Sequence, residues 1–147
     1  MSLKARLTEA MKDAMRAQDK ERLGVVRMAL TAFKQIEVDE RVELDDARSL
    51  AVLEKLVKQR RESAAAFEQG GRAELAAKEL AEIAILQTFL PEPLSDAELA
   101  SLISAAIAEA GATSARDMGK VMNLLRPMVA GRADVGALSQ QVKTRLS

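Results

Sequence analysis

The 147-residue sequence contains no cysteine and no histidine, and these two absences exclude several kinds of functional site. Thiol nucleophiles, disulfides, imidazole acid–base catalysis and zinc sites of the usual ligand types each need one of these residues. The sequence also lacks the glycine-rich phosphate loop GxxxxGK[ST]. We therefore assign no catalytic residue and no metal ligand, and we expect no cofactor.

Aromatic residues are also scarce, since tryptophan and tyrosine are absent and only three phenylalanines occur. Strands are enriched in aromatic and β-branched residues, whereas this sequence is dominated by alanine, leucine, glutamate, lysine and arginine, which favour helices. The apolar fraction of 48% is ample for packed cores at this length. The composition predicts an all-α fold of one or two small domains.

No run of about 18 apolar residues occurs, so the sequence offers no candidate membrane-spanning helix. The N-terminus is charged from Lys4 onward, unlike a secretory signal peptide. We expect a cytoplasmic protein with no membrane partner.

The charges balance overall, with 22 basic and 22 acidic side chains, but they are unevenly distributed. Residues 91–114 contain four acids and no base, whereas residues 115–147 contain six bases and two acids. A polyanionic partner, if one exists, is therefore expected to contact the C-terminal segment.

Capping residues divide the first 90 residues into four predicted helices. Ser2 and Asp19 suit the N-caps of the first two, and the second is predicted to end near Asp39. The third is predicted to begin near Asp45 or Asp46, whose carboxylates suit the positive end of the helix dipole.

The third predicted helix ends at Gly70-Gly71, and the fourth covers residues 72–90. Pro91 and Pro93 then end it, because each proline disfavours helix in the residue before it. The sequence thus predicts an N-terminal helical bundle over residues 1–90 and a linker over 91–94.

Residues 95–147 are predicted to form a three-helix tail domain. The residues expected to delimit its helices are Ser95 and Glu98 as a capping box, Gly111 as a stop, Thr113 or Ser114 as a cap, Pro127 as a break and Asp134 as the last cap.

Four segments together resemble one known family across essentially the whole chain. They are DKERLGVVRMALTAFKQIE at 19–37, LVKQRRESAAAF at 56–67, KELAEIAILQTFLPEPLS at 78–95, and ARDMGKVMNLLRP with the following GRAD at 115–134. In this order they resemble the YqeY family. Two positions depart from the family pattern, because Arg116 and Met128 stand where the family usually has lysines.

The YqeY family is similar in turn to the C-terminal helical and tail regions of GatB, the B subunit of the tRNA-dependent amidotransferase. The resemblance implies kinship with a carbon–nitrogen ligase that uses glutamine as amide donor and amidates Glu or Asp misattached to tRNA. It also implies tRNA, or an aminoacyl-tRNA-handling complex, as a partner. The ligase's chemistry belongs to a separate N-terminal domain, and this chain is too short to contain it.

The predicted sixth helix separates apolar from polar residues. Met118, Val121, Met122 and Leu125 share one face at helical spacing, whereas the opposite face is polar. Together with two nearby arginines, the polar residues are our candidate nucleic-acid-binding set: Arg116, Gly119, Lys120, Asn123, Arg126 and Arg132.

Two of these residues leave alternatives open. A glycine within a helix indicates close approach to the backbone, so Gly119 admits either another tail helix or a phosphate. Arg132 lies beside a predicted helix N-terminus, against the preference of the helix dipole. It therefore indicates a specific anionic contact, with either an internal carboxylate or an external phosphate.

In the third helix, Arg60 interrupts an otherwise apolar stripe. If the third and fourth helices pair antiparallel about Gly70-Gly71, Arg60 lies within reach of Glu79 and Glu82. We predict a structural ion pair inside the bundle, because an unpaired buried arginine is costly. The alternative is a catalytic carboxylate pair activated by Arg60.

Three functions are consistent with these observations. The leading one is a non-catalytic accessory module that binds tRNA or acts in tRNA metabolism. The alternatives are a protein–protein adaptor in translation and an amidotransferase-like enzyme that acts with partners. The sequence defines neither the oligomeric state nor the orientation of the two domains.

Overall fold

The computed structural model describes residues 1–147 and is all-α, as predicted. It contains no strand, and a 3₁₀ turn at Ala115–Asp117 precedes the sixth helix. The seven helices are α1 (Leu3–Ala17), α2 (Lys20–Glu40), α3 (Asp46–Gln69), α4 (Ala73–Gln87), α5 (Asp96–Ala110), α6 (Met118–Val129) and α7 (Val135–Leu146). None of them is long and apolar enough to cross a membrane. The chain divides into two compact units, Met1–Pro91 and Glu92–Ser147.

Side-chain caps begin the first three helices, as the sequence predicted. Ser2, Asp19 and Asp45 each accept a hydrogen bond from a backbone amide three residues later, where the first turn leaves amides without helical partners. α3 ends at Gln69 with Gly70 as its C-cap, and Gly71 adopts a φ of +73° that favours glycine. This turn folds α3 and α4 into a hairpin.

The core of the first unit is formed by α1 to α4. Its largest fully enclosed side chains are Leu7, Val26, Phe33, Leu53 and Leu86, at least one from each helix. Burying each such side chain contributes roughly 1.5–3 kcal/mol. Packing of these helices therefore stabilises a four-helix unit.

α4 ends at Gln87, three residues before the predicted end at Leu90. The amides of Thr88, Phe89 and Leu90 bond to carbonyls three residues earlier, so the chain tightens out of the α-helix before Pro91. This tighter turn buries the Phe89 ring in the core of the first unit.

The second unit packs α5, α6 and α7 around its own core. Ile103, Val121, Leu125, Leu138 and Val142 are fully buried there, with at least one from each helix. Both ends of α5 follow the sequence prediction. Ser95 accepts a hydrogen bond from the Glu98 amide, and Gly111 ends the helix in the left-handed conformation.

The start of α6 differs from the prediction, because neither Thr113 nor Ser114 caps it. The chain instead makes a 3₁₀ turn, and the Asp117 carboxylate accepts a hydrogen bond of 3.0 Å from the Thr113 amide. This backbone bond is the main reason that the pKa of Asp117 is lowered. α6 therefore begins at Met118, directly after the turn.

The prediction that Pro127 breaks α6 was wrong, because the helix continues to Val129. Proline in this position removes only the hydrogen bond to the Asn123 carbonyl, close to the end of the helix. Val129 is fully buried, so its packing favours the extra residues of helix. Asp134 then caps α7 by accepting from the Gly136 amide, as predicted.

Candidate nucleic-acid interface

The exposed side of α6 contains most of the predicted nucleic-acid-binding residues. Gly119, Lys120, Asn123 and Arg126 are exposed, and Arg116 is exposed in the preceding 3₁₀ turn. The buried side of the helix is apolar: Val121, Met122, Leu125 and Val129. Burial of that side against α5 and α7 fixes which way the polar side chains project. We call Arg116, Gly119, Lys120, Asn123 and Arg126 the α6 face.

Gly119 is not required by a neighbouring helix. A Cβ atom at this position would have no heavy atom within 4 Å beyond its own helix backbone and adjacent residues. Its backbone conformation is also not left-handed, so an alanine would be tolerated there. The structure therefore contradicts the packing alternative for Gly119 and leaves this part of the α6 backbone uncovered.

The bases of the α6 face are not matched by ion pairs. Neither Arg116, Lys120 nor Arg126 has a carboxylate within 4.0 Å. Arg126 donates a hydrogen bond of 3.2 Å to the neutral side chain of Asn123. Asp117 partly offsets this charge. The hydrogen bond from the Thr113 amide is the main cause of its lowered pKa, and the positive charges of Lys120 and Arg116 lower it further. The α6 face is thus a basic surface with free donor groups.

Arg132 has internal partners. Its Nε donates to the backbone carbonyl of Glu92 at 2.9 Å, and its Nη2 lies 3.8 Å from the Glu98 carboxylate. The Arg132 carbonyl also accepts a hydrogen bond from the Leu94 amide. Of the two anionic contacts that the sequence left open, the structure contains the internal one. Arg132 thus links the segment before α5 to the turn between α6 and α7 through hydrogen bonds.

Arg60 forms an ion pair in the interior of the first unit, and its partner is Glu82. The Arg60 Nε lies 3.1 Å from a Glu82 carboxylate oxygen, and the two side chains are 14% and 21% exposed. The guanidinium also donates to the Leu56 carbonyl and contacts the Met28 sulfur. Glu79 forms no ion pair with Arg60, so the two carboxylates of the catalytic alternative are not assembled there.

Sequence reasoning missed a second basic surface, which lies on the exposed side of α2. Lys20, Arg27 and Lys34 recur every seven residues and are all exposed. A heptad spacing keeps side chains close to one face of a helix, so this pattern was visible in the sequence.

Comparison with known proteins identifies relatives of this chain. The sequence model of a family described as Yqey-like protein matches residues 4–146. Similar curated proteins include "Altered inheritance of mitochondria protein 41, mitochondrial" from Eremothecium gossypii, which is 35% identical over 96 residues, 64% of this chain and 52% of the relative. The protein of the same name from Kluyveromyces lactis is 36% identical over 86 residues, 58% of this chain and 46% of the relative. The chain thus spans about half the length of the curated relatives it matches.

Proposed function

The chain belongs to the YqeY-like family, and from this premise we propose that it is a non-catalytic RNA-binding module whose partner is tRNA or an aminoacyl-tRNA-handling complex. The proposal assigns RNA contact to the α6 face of the second unit. One observation carries it: exposed bases without ion pairs lie on both sides of Gly119, where the helix backbone is uncovered.

Electrostatic contact with phosphates would supply the affinity. Arginine and lysine side chains that reach phosphate oxygens displace counterions from the nucleic acid, and this release favours binding at low salt. Lys120 and Arg126 are six residues apart, about 9 Å along the helix axis, so they would contact different phosphates. Arg116 and the amide of Asn123 add further donors beside them.

Recognition in this proposal depends on shape and backbone rather than on base stacking. The chain has no tyrosine or tryptophan, and its phenylalanines are buried or partly buried. Aromatic side chains are the usual stacking platforms for unpaired RNA bases. A folded RNA that presents a regular array of phosphates, as tRNA does, is therefore the favoured partner.

The test is tRNA binding by the full chain, measured across salt concentrations for three proteins. The first is the native chain, and the second is the Lys120→Glu/Arg126→Glu variant. The matched control is Lys55→Glu/Arg61→Glu, which also replaces one exposed lysine and one exposed arginine, here on α3. The two variants therefore have the same net charge.

We expect the α6 variant to bind more weakly than the control. Loss of two phosphate contacts should reduce the magnitude of the log–log salt slope by roughly 1.4–1.8. The proposal fails if the native chain does not bind tRNA at low salt, or if the α6 variant and the control bind equally well.

A further inference from the structure

The second basic surface runs along most of α2. Lys20 and Lys34 are fourteen positions apart on this helix, about 21 Å along its axis, and Arg27 lies midway between them. Gly24 and Thr31 are exposed between them on the same side of the helix. We call these five residues the α2 stripe.

The bases of the α2 stripe have no carboxylate partner. Five of the sixteen bases of the first unit form an ion pair, namely Lys4, Lys12, Arg16, Arg48 and Arg60, and the three stripe bases are among the eleven that have no carboxylate within 4.0 Å. Residues 22–36 of α2 also contain no acid at all. Of the nearby acids, Glu9 pairs with Lys12, Asp13 with Arg16 and Glu37 with Lys4. Asp19 and Glu21 flank Lys20, and Glu37 also interacts electrostatically with Lys34, so charge is least compensated at Arg27.

Gly24 leaves the α2 backbone uncovered in the same way as Gly119 does on α6. A Cβ atom at Gly24 would have no heavy atom within 4 Å beyond its own helix backbone and adjacent residues. A glycine in the interior of a helix costs about 1 kcal/mol relative to alanine, and no left-handed conformation requires it here. Packing within the chain therefore does not explain this glycine.

An open groove of about 320 Å³ lies between α1 and α2, beside the stripe. Met11 and Leu30 supply its apolar lining, and Arg27, Thr31 and Lys34 supply its polar lining. Its volume is at the lower limit for a ligand pocket, and the two apolar side chains are too few to anchor a docked protein helix. A linear array of bases beside a shallow groove is instead complementary to a polyanionic backbone.

We propose that the α2 stripe is a second RNA-binding surface, which contacts backbone phosphates through Arg27 and Lys34 with a minor contribution from Lys20. The uncovered backbone at Gly24 allows the RNA strand to lie close to the helix, and the Thr31 hydroxyl donates a hydrogen bond to a phosphate or a ribose. This inference takes its class of partner from the proposed function, but it depends only on residues of the first unit.

The experiment measures tRNA affinity and its salt slope for the full-length Arg27→Glu/Lys34→Glu variant. The control is again Lys55→Glu/Arg61→Glu, which makes the same exchange of one lysine and one arginine on α3. Far-UV circular dichroism establishes that both variants remain helical. We expect at least a tenfold loss of affinity at low salt relative to the control, and a slope smaller in magnitude by roughly 1.4–1.8.

A second variant, Gly24→Leu, tests the close approach without changing any charge. It should weaken tRNA binding while leaving the helical signal largely unchanged, because a Cβ atom at this position would have no heavy atom within 4 Å beyond its own helix backbone and adjacent residues. Control-like binding by the Arg27→Glu/Lys34→Glu variant would overturn the inference. If the Lys120→Glu/Arg126→Glu variant then loses binding, the proposed role of the α6 face still stands. The reverse pattern would support the α2 stripe and reject the α6 face.

Discussion

Removing the Glu82 carboxylate should destabilise the first unit substantially. Arg60 lies within the apolar side of α3, where its guanidinium is held by Glu82, by the Leu56 carbonyl and by contact with Met28. Replacing Glu82 with leucine leaves that positive charge largely enclosed without a carboxylate. Breaking a buried pair in this way costs about 3–5 kcal/mol. The Glu82 side chain retains 21% exposure, so we expect a loss of roughly 2–3 kcal/mol.

The assay is urea unfolding followed by far-UV circular dichroism, since the chain has no tryptophan or tyrosine to report by fluorescence. Amide hydrogen exchange would place the loss in α3 and α4. The matched control is Asp13→Leu, which removes the acid of the exposed Arg16–Asp13 pair and should change stability by less than about 1 kcal/mol. The double variant Arg60→Met/Glu82→Leu replaces both charges with apolar groups and should recover most of the loss.

Two results would refute this reasoning. The first is a Glu82→Leu variant that loses no more stability than the Asp13→Leu control. The second is an Arg60→Met/Glu82→Leu variant that is no more stable than Glu82→Leu alone. Either would mean that Arg60 is not a buried charge that depends on Glu82.

Two further predictions concern buried and partly buried polar groups of the first unit. Ser49 is 1% exposed and its hydroxyl has no hydrogen-bond partner, so Ser49→Ala should raise the free energy of unfolding by about 1 kcal/mol; a loss in urea unfolding would contradict this. Glu37 accepts hydrogen bonds from Lys4 and from the Leu44 amide, and these lower its pKa below the ordinary value. The charged carboxylate therefore stabilises the fold at a pH above the ordinary pKa of glutamate, and this stabilisation is lost as the pH falls through the lowered pKa of the folded state. The stability difference between the native chain and Glu37→Gln should therefore be larger at about pH 7 than at about pH 3, and a difference independent of pH would exclude this role for the carboxylate.

The start and end of most helices could be predicted because local chemistry determines them. A serine or aspartate that accepts bonds from free amides acts within three residues, as Ser2 and Asp134 do. The start of α6 was missed because a local bond from the Thr113 amide to Asp117 forms a 3₁₀ turn there, whereas the other two errors occurred where packing at a distance decided the outcome. Burial of Phe89 favours the tight turn after α4, and burial of Val129 favours continuation of α6 past Pro127. A sequence pattern does not show which of these side chains reaches the core.

The candidate site was predictable in its composition but not in all of its contacts. Helical spacing placed Gly119, Lys120 and Asn123 on one exposed side, because a buried apolar side opposes them. The partner of Arg132 could not be predicted, since the Glu92 carbonyl lies forty residues away in the sequence. The open space around Gly119 likewise depends on where α5 and α7 pack, which no local pattern specifies.

The most direct test of the proposed function is the equilibrium affinity of the native full-length chain for tRNA, measured from about 50 to 200 mM salt. Three phosphate contacts, one for each base of the α6 face, should give a log–log slope of roughly −2 to −3, and contacts from the α2 stripe would make it steeper. Absence of binding at the lowest salt, or an affinity that does not change with salt, would contradict an RNA-binding role for this protein.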